Sequence, residues 1–200
     1  MKSTFITTDQ YMLEDQHVLL MPMDEGDYHN LLPFSLHEPE LWKYSLVSGA
    51  GEEGLKHYMQ LALDARDIGR EYPFIVFDKN TASVAGCTRF YDINMPYQTL
   101  QLGYTWYGKQ FQGTGINKRC KYLLLSFAFE DIGIERVEFR ADNNNLRSIA
   151  AMKSIGCTAE GVLRSNMPRP DGGRRDSIVL SILKDEWFGS VKEMLREKIG

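Results

Sequence analysis

The chain predicts a mixed α+β domain: one twisted, mostly antiparallel sheet of about seven strands, flanked by helices. Three observations carry that reading. Strand-like runs follow one another closely at Tyr72 to Asp78, Ser83 to Ile93 and Thr99 to Tyr107, which reads as a meander. The segments Glu52 to Asp67 and Ile116 to Ile132 change to helical spacing. More strand-like runs then return, so the order is roughly β-α-α-β-β-β-α-β-α-β-β-α. With 200 residues, 43% hydrophobic and 12% aromatic, one domain over residues 1–200 suffices to bury a sizeable core.

The elements follow in order. His17 to Met23 is the first strand, stopped at Met21-Pro22-Met23, and Asp24 is the N-cap of the first of two short helices. Leu55, Tyr58, Met59, Ala62 and Leu63 make Glu52 to Asp67 an amphipathic helix, with Gly69 as its stop. Asp78-Lys79-Asn80 and Asn94-Met95-Pro96 separate the three meander strands. In the last of these, Leu100, Leu102, Tyr104 and Trp106 form a two-residue stripe that reads as core. Ile116, Cys120, Leu123, Leu124 and Phe127 then recur at helical spacing. Arg136 to Ala141 turns Val137, Phe139 and Ala141 inward, and Asn145 to Ile155 is a helix ended by Gly156. Cys157 to Asn166 and Ser177 to Leu183 flank a hairpin loop, Pro168 to Arg175, with its turn at Asp171-Gly172-Gly173. Lys184 to Lys198 is a terminal helix with Trp187, Val191, Met194 and Leu195 on one face.

Composition excludes several classes. A net charge of -4 and a pI near 5.6 give no general basic field for nucleic acid and mildly favour cationic partners. Cys87, Cys120 and Cys157 are odd in number, far apart and set among apolar neighbours, so they read as buried thiols of a reducing cytoplasm. His17, His29, His37 and His57 lack metal-ligand spacing, and no metal is expected. Met1 to Asp15 has no apolar signal region, and no run is long enough to span a membrane. A soluble, cytoplasmic monomer or homodimer is expected.

The most informative stretch is Gln112-Gly113-Thr114-Gly115-Ile116-Asn117, where a strand-like run gives way to a helix. The first helical amides have no intrahelical acceptor, and the helix dipole favours negative charge there. Glycines let a phosphate approach the backbone and allow positive φ. Such a junction is either an ordinary strand-to-helix turn or an anion cradle. Neither G-x-G-x-x-G nor G-x-x-x-x-G-K-[ST] is present, since Lys118 holds the third glycine position of the first pattern.

Further residues narrow the choice. These are Leu102-Gly103-Tyr104-Thr105-Trp106, Gln112-Gly113-Thr114-Gly115, Asn145-x-x-Ser148 with Ile155-Gly156-Cys157, Glu160-Gly161-Val162-Leu163-Arg164, Asp171-Gly172 and Asp185-Glu186-Trp187. On them the chain, from about Thr99 to Trp187, resembles the GNAT superfamily of acyl-CoA N-acyltransferases, and within it the ribosomal-protein N-terminal acetyltransferases. The resemblance implies acetyl-CoA as cosubstrate, an amine acceptor as partner, and a sheet splayed between strands 4 and 5. The family's pyrophosphate loop falls on Gln112, Gly115 and Asn117, the last in place of a small residue, and a second register on Gln110, Gly113 and Gly115 uses the same amides, Gly113, Thr114, Gly115, Ile116 and Asn117. The backbone of Trp106 and Tyr107 would pair with the pantetheine arm, and Asn145 and Ser148 would lie near it. Gly103 is either part of that splay or a packing gap. Asn143-Asn144-Asn145 also reads as a capping cluster.

The same resemblance puts Met152 where many relatives carry a general-acid tyrosine, and methionine donates no proton. Ser148, Ser154 or water could then protonate the leaving thiolate, or no acid is needed. For the base, a carboxylate raised by partial burial suits deprotonation of an amine, and Glu160 is the leading candidate, ahead of Asp92 and Glu38. Glu160 could equally be an exposed carboxylate or a partner of Arg164. The expected function is N-acetyl transfer from acetyl-CoA to a primary amine, on a protein N-terminus or a small molecule. The alternative is a non-catalytic acyl-CoA-binding sensor or regulatory module.

Overall fold

A computed structural model describes residues 5–169 and 172–200; Asp171, expected in the hairpin turn, lies outside them. The strands are β1 (Leu13–Glu14), β2 (Val18–Pro22), β3 (Tyr72–Asp78), β4 (Ser83–Asn94), β5 (Thr99–Tyr107), β6 (Arg136–Asp142), β7 (Thr158–Pro168) and β8 (Arg174–Leu183). The helices are α1 (Tyr28–His37), α2 (Gly51–Asp67), α3 (Ile116–Ser126), α4 (Leu146–Ser154) and α5 (Lys192–Ile199), the last continuous with the helical turns from Lys184. Among the described residues the strands form one eight-stranded sheet in the order β1-β2-β3-β4-β5-β6-β8-β7. The additional strand is β1, whose two residues are too few to show a period.

All neighbours pair antiparallel except β5 and β6, which run parallel. Their ladder consists of Thr99↔Arg136, Leu100↔Val137 and Gln101↔Glu138 alone. Beyond it, β5 stays on β4 as far as Tyr107, while β6 stays on β8 as far as Asp142. The sheet therefore opens into a V whose arms are the C-terminal halves of β5 and β6, which is the splay that the resemblance implies.

A bulge sits in the β5 arm. Opposite the step from Cys87 to Arg89, β5 runs from Trp106 to Gly103, so it carries one extra residue, and Tyr104 absorbs it at φ 48°. The alternation consequently changes phase. Leu100, Leu102 and Tyr107 lie in one core with α3, whereas Trp106 is buried in the other with Tyr58 and Trp42, and Tyr104 packs against it. The stripe expected on a single face is thus split between two. Gly103 has a packing role as well, since a Cβ there would stand 2.9 Å from the Tyr91 ring.

Two cores sandwich the sheet. On one side α1 and α2 bring Leu31, Leu55, Tyr58 and Met59 against Ile75, Cys87 and Trp106. On the other, α3, α4 and the terminal helix bring Cys120, Leu124, Met152, Trp187 and Leu195 against Phe74, Phe90, Val137 and Phe139. Trp187 is fully buried; its ring lies 5.7 Å from that of Phe129 and its Nε1 donates to Glu130 at 3.0 Å, which fixes the terminal helix. Burial of one such side chain contributes about 1.5–3 kcal/mol. All three cysteines are free and buried, and burial pushes each thiol up to about 12.

Candidate active site

The loop between β5 and α3 stands at the open end of the V. Gly113 and Gly115 adopt φ +81° and +92°, and a Cβ on either would meet nothing within 4 Å, so the space over the loop is open and positive φ explains the glycines. Among the described residues, none accepts from the backbone amides of Gly113, Thr114, Gly115, Ile116 or Asn117. A run of unsatisfied amides at a helix N-terminus is a concave anion site, so the loop fits a diphosphate. Thr114 Oγ1 donates to the Phe111 carbonyl at 2.7 Å, and Gln112 Nε2 donates to the Tyr107 carbonyl at 2.8 Å. The Gln112 side chain therefore ties the loop to the end of β5, which leaves the backbone to face an anion.

Trp106 and Tyr107 lie on the β5 arm, opposite Cys87 and Gly86 of β4. Both side chains are buried, which leaves backbone as their contribution to the cleft. Across the gap, Asn145 caps α4 by accepting the Ser148 amide at 3.1 Å, and both residues are part-exposed. The Ser154 hydroxyl is directed back to the Ala151 carbonyl at 2.7 Å and is already engaged. Met152 is buried in the core.

Glu160 is not at this end, which corrects its expected role. It occupies a bulge of β7 between Ala159 and Gly161, where Ser181 Oγ donates to it at 2.6 Å and Arg136 grips both carboxylate oxygens. Ser181 pairs with Glu138, and Glu138 with Gln101, five residues before Trp106 and so about 16 Å away along β5 at ~3.3 Å per residue. The Arg136 guanidinium, aided by the Ser181 hydroxyl, holds the Glu160 carboxyl down to about 2. A carboxylate so stabilised is a poor base, the opposite of one raised by burial. The partner is Arg136 rather than Arg164. Asp92 is likewise at the closed end, accepting from Gln101 Nε2 at 2.8 Å. Glu38 is near the loop, where it accepts the Lys109 amide at 2.8 Å.

Glu160→Gln is therefore expected to leave turnover within about threefold of wild type, not to remove the ~10²–10⁴ that a general base contributes. A depressed carboxyl stabilises the fold above its ordinary value of 4.5 and ceases to do so as pH falls towards 2. With the side chain 39% exposed, solvent limits that stabilisation to about 1 kcal/mol or less. Melting temperatures of wild type and variant should converge as pH falls through that window, and a hundredfold loss of turnover would restore Glu160 as the base.

Sequence reasoning passed over two buried charges. Arg89, 3% exposed, pairs with Glu71 at 2.7 Å and lies against the rings of Tyr58 and Tyr104, 4.6 and 4.1 Å from their centroids. It braces the bulge. Lys121, on α3, donates to Thr105 Oγ1 at 2.8 Å and Thr88 Oγ1 at 3.3 Å. Burial pushes its ammonium down to about 8. The available signal was the helical wheel, which puts Lys121 one turn after Asn117 and beside the apolar stripe through Cys120 and Leu124.

The family profile for the Acetyltransferase (GNAT) domain matches residues 17–158. YdaF of Bacillus subtilis (strain 168), named as a ribosomal N-acetyltransferase, is 31% identical over 107 residues, 54% of this chain and 57% of that protein. The alignment thus spans little more than half of that relative. YjcK of the same organism, named as an N-acetyltransferase, is 28% identical over 180 residues, 88% of this chain and 98% of that protein. A solved acetyltransferase structure from T. thermophilus is 33% identical, covers 94% of this chain and 97% of its own, and superposes with a TM-score of 0.84. RimJ of Mycobacterium smegmatis, solved in complex with CoA-disulfide, shares the fold at a TM-score of 0.76 and 20% identity over 94% of this chain and 93% of that one. The chain belongs to the GNAT family of acetyltransferases.

Proposed function

We propose that this chain transfers the acetyl group of acetyl-CoA to a primary amine by direct attack, and that the amine is a protein N-terminus or a small molecule. The observation that carries the proposal is the run of unsatisfied amides from Gly113 to Asn117 opening onto the gap between β5 and β6. In it, those amides hold the pyrophosphate. The β5 segment at Trp106 and Tyr107, which β6 no longer flanks, offers its edge to the amide-bearing pantetheine arm except at the Tyr107 carbonyl, which accepts from Gln112, and Asn145 and Ser148 border the arm from α4. Acetyl-CoA, the family's cosubstrate, supplies the activated thioester when bound. The chain supplies binding, orientation and a backbone N–H on the β5 arm aimed where negative charge develops.

Similarity to a protein named as a ribosomal N-acetyltransferase supports the protein N-terminus among the acceptors. No covalent intermediate on the chain is involved. The test is free-thiol release from acetyl-CoA with a panel of peptides bearing free N-termini and of small polyamines. Release above the hydrolysis background with at least one acceptor is expected. Tight acetyl-CoA binding without release for any acceptor would instead support a sensor or regulatory module.

A further inference from the structure

Lys121 sits about 6 Å deeper along α3 than Asn117, four residues at ~1.5 Å each. It is 5% exposed. Two of its N–H groups go to Thr105 and Thr88, and the titratable groups beside it are the thiols of Cys120 and Cys157, both pushed up to about 12 and therefore neutral. Among the described residues, no carboxylate bridges it. A buried ammonium is ordinarily paired, because losing its hydration is costly. Here burial lowers it to about 8, still mostly charged near neutrality. An unneutralised cation beside a cleft favours an anion in that cleft.

Thr105 is the accessible end of the pair. It is part-exposed and lies four residues past Gln101, the last β5 residue paired with β6, on the arm that borders the V. The Tyr104 bulge turns it to the α3 side, where Lys121 meets it. Since Lys121 donates to Thr105 Oγ1, the threonine's own proton is the one it donates in turn, within the chain to the Gly103 carbonyl. Its neighbours are Thr88 Oγ1 at 2.7 Å and the Gly103 carbonyl at 3.3 Å, from which the hydroxyl can rotate.

We propose that Thr105, backed by Lys121 as a positioning residue, forms the sulfur end of the coenzyme site and favours a thiolate there. The proposal rests on the reading that coenzyme A lies in the V. When the carbon–sulfur bond breaks, its electron pair goes to sulfur. The cation behind Thr105 offsets that charge until the proton shed by the acetylated amine, carried by water, reaches sulfur. Such help suits a site in which buried Met152 can donate none.

The test uses unacylated coenzyme A and the full chain, following the ultraviolet absorbance of the thiolate through a pH titration, with acetyl-CoA affinity measured by calorimetry. An ordinary thiol ionises near ~8.5; bound to wild type, the coenzyme thiol should show about tenfold more thiolate at pH 7 than free coenzyme. Lys121→Met, an apolar replacement of similar volume that removes a buried charge, should abolish the excess, and Thr105→Val should reduce it. Acetyl-CoA, whose sulfur carries no charge, should bind Lys121→Met within about threefold of wild type. Identical thiol titration in wild type and Lys121→Met, with acetyl-CoA bound by both, overturns the role given to Lys121. Failure of folded wild type to bind acetyl-CoA overturns the coenzyme reading beneath it.

Discussion

Gly115→Glu should weaken acetyl-CoA binding by at least about a hundredfold, or some 2.7 kcal/mol, while the chain stays folded. Two effects add. Gly115 sits at φ +92°, a conformation that costs an L-residue of order 1 kcal/mol or more. A carboxylate would also enter the open space over the loop and repel a diphosphate from the amides meant for it. Gly115→Ala separates the effects, since it retains the strain without the charge and should lose about tenfold at most. Calorimetry on the two variants decides the matter. Unchanged affinity in a folded Gly115→Glu protein would remove the loop from the coenzyme site.

Arg89→Met should destabilise the protein by about 3 kcal/mol, since breaking a buried ion pair strands the remaining partner. Glu71, whose side chain is 18% exposed, would be left without its cation. For a chain of this length the melting temperature should fall by about 6–12 °C. The paired change Glu71→Gln with Arg89→Met should recover most of that loss, because no charge is then left unmatched. A double variant as unstable as the single one would locate the stabilisation in ring contacts rather than in the pair.

Elements with one strong period were legible in the sequence. Leu55, Tyr58, Met59 and Ala62 gave α2 almost to the residue, and the alternation from Tyr72 to Tyr107 gave three strands in their observed order. What period cannot convey is register. The run through Leu100, Leu102, Tyr104 and Trp106 keeps its two-residue spacing across the bulge, so nothing in the letters shows that the faces exchange there. Glu160 was misplaced for a related reason: sequence put it on the right strand, but only its bonds to Ser181 and Arg136 reveal that its carboxylate turns toward the closed end of the V. Lys121 follows Lys118 and Arg119 and reads like another solvated charge. Its burial comes from packing of α3 on the sheet, a tertiary fact. The glycine loop was legible because its requirement is local, positive φ at the head of a helix.

The three residue pairs that close the β5–β6 ladder also make that junction a seam. Along the sheet, among the described residues, only Thr99 to Gln101 joins the half containing β1 to β5 with the half containing β6 to β8, while on one face the core under α3, α4 and the terminal helix spans both. A molecule lodged between the arms touches both and is bound only while they stand together. At a hundred times its dissociation constant it adds about 2.7 kcal/mol to the joined state. Occupancy thus acts as a second tie across the seam, and the filled domain is expected to melt at a higher temperature than the empty one.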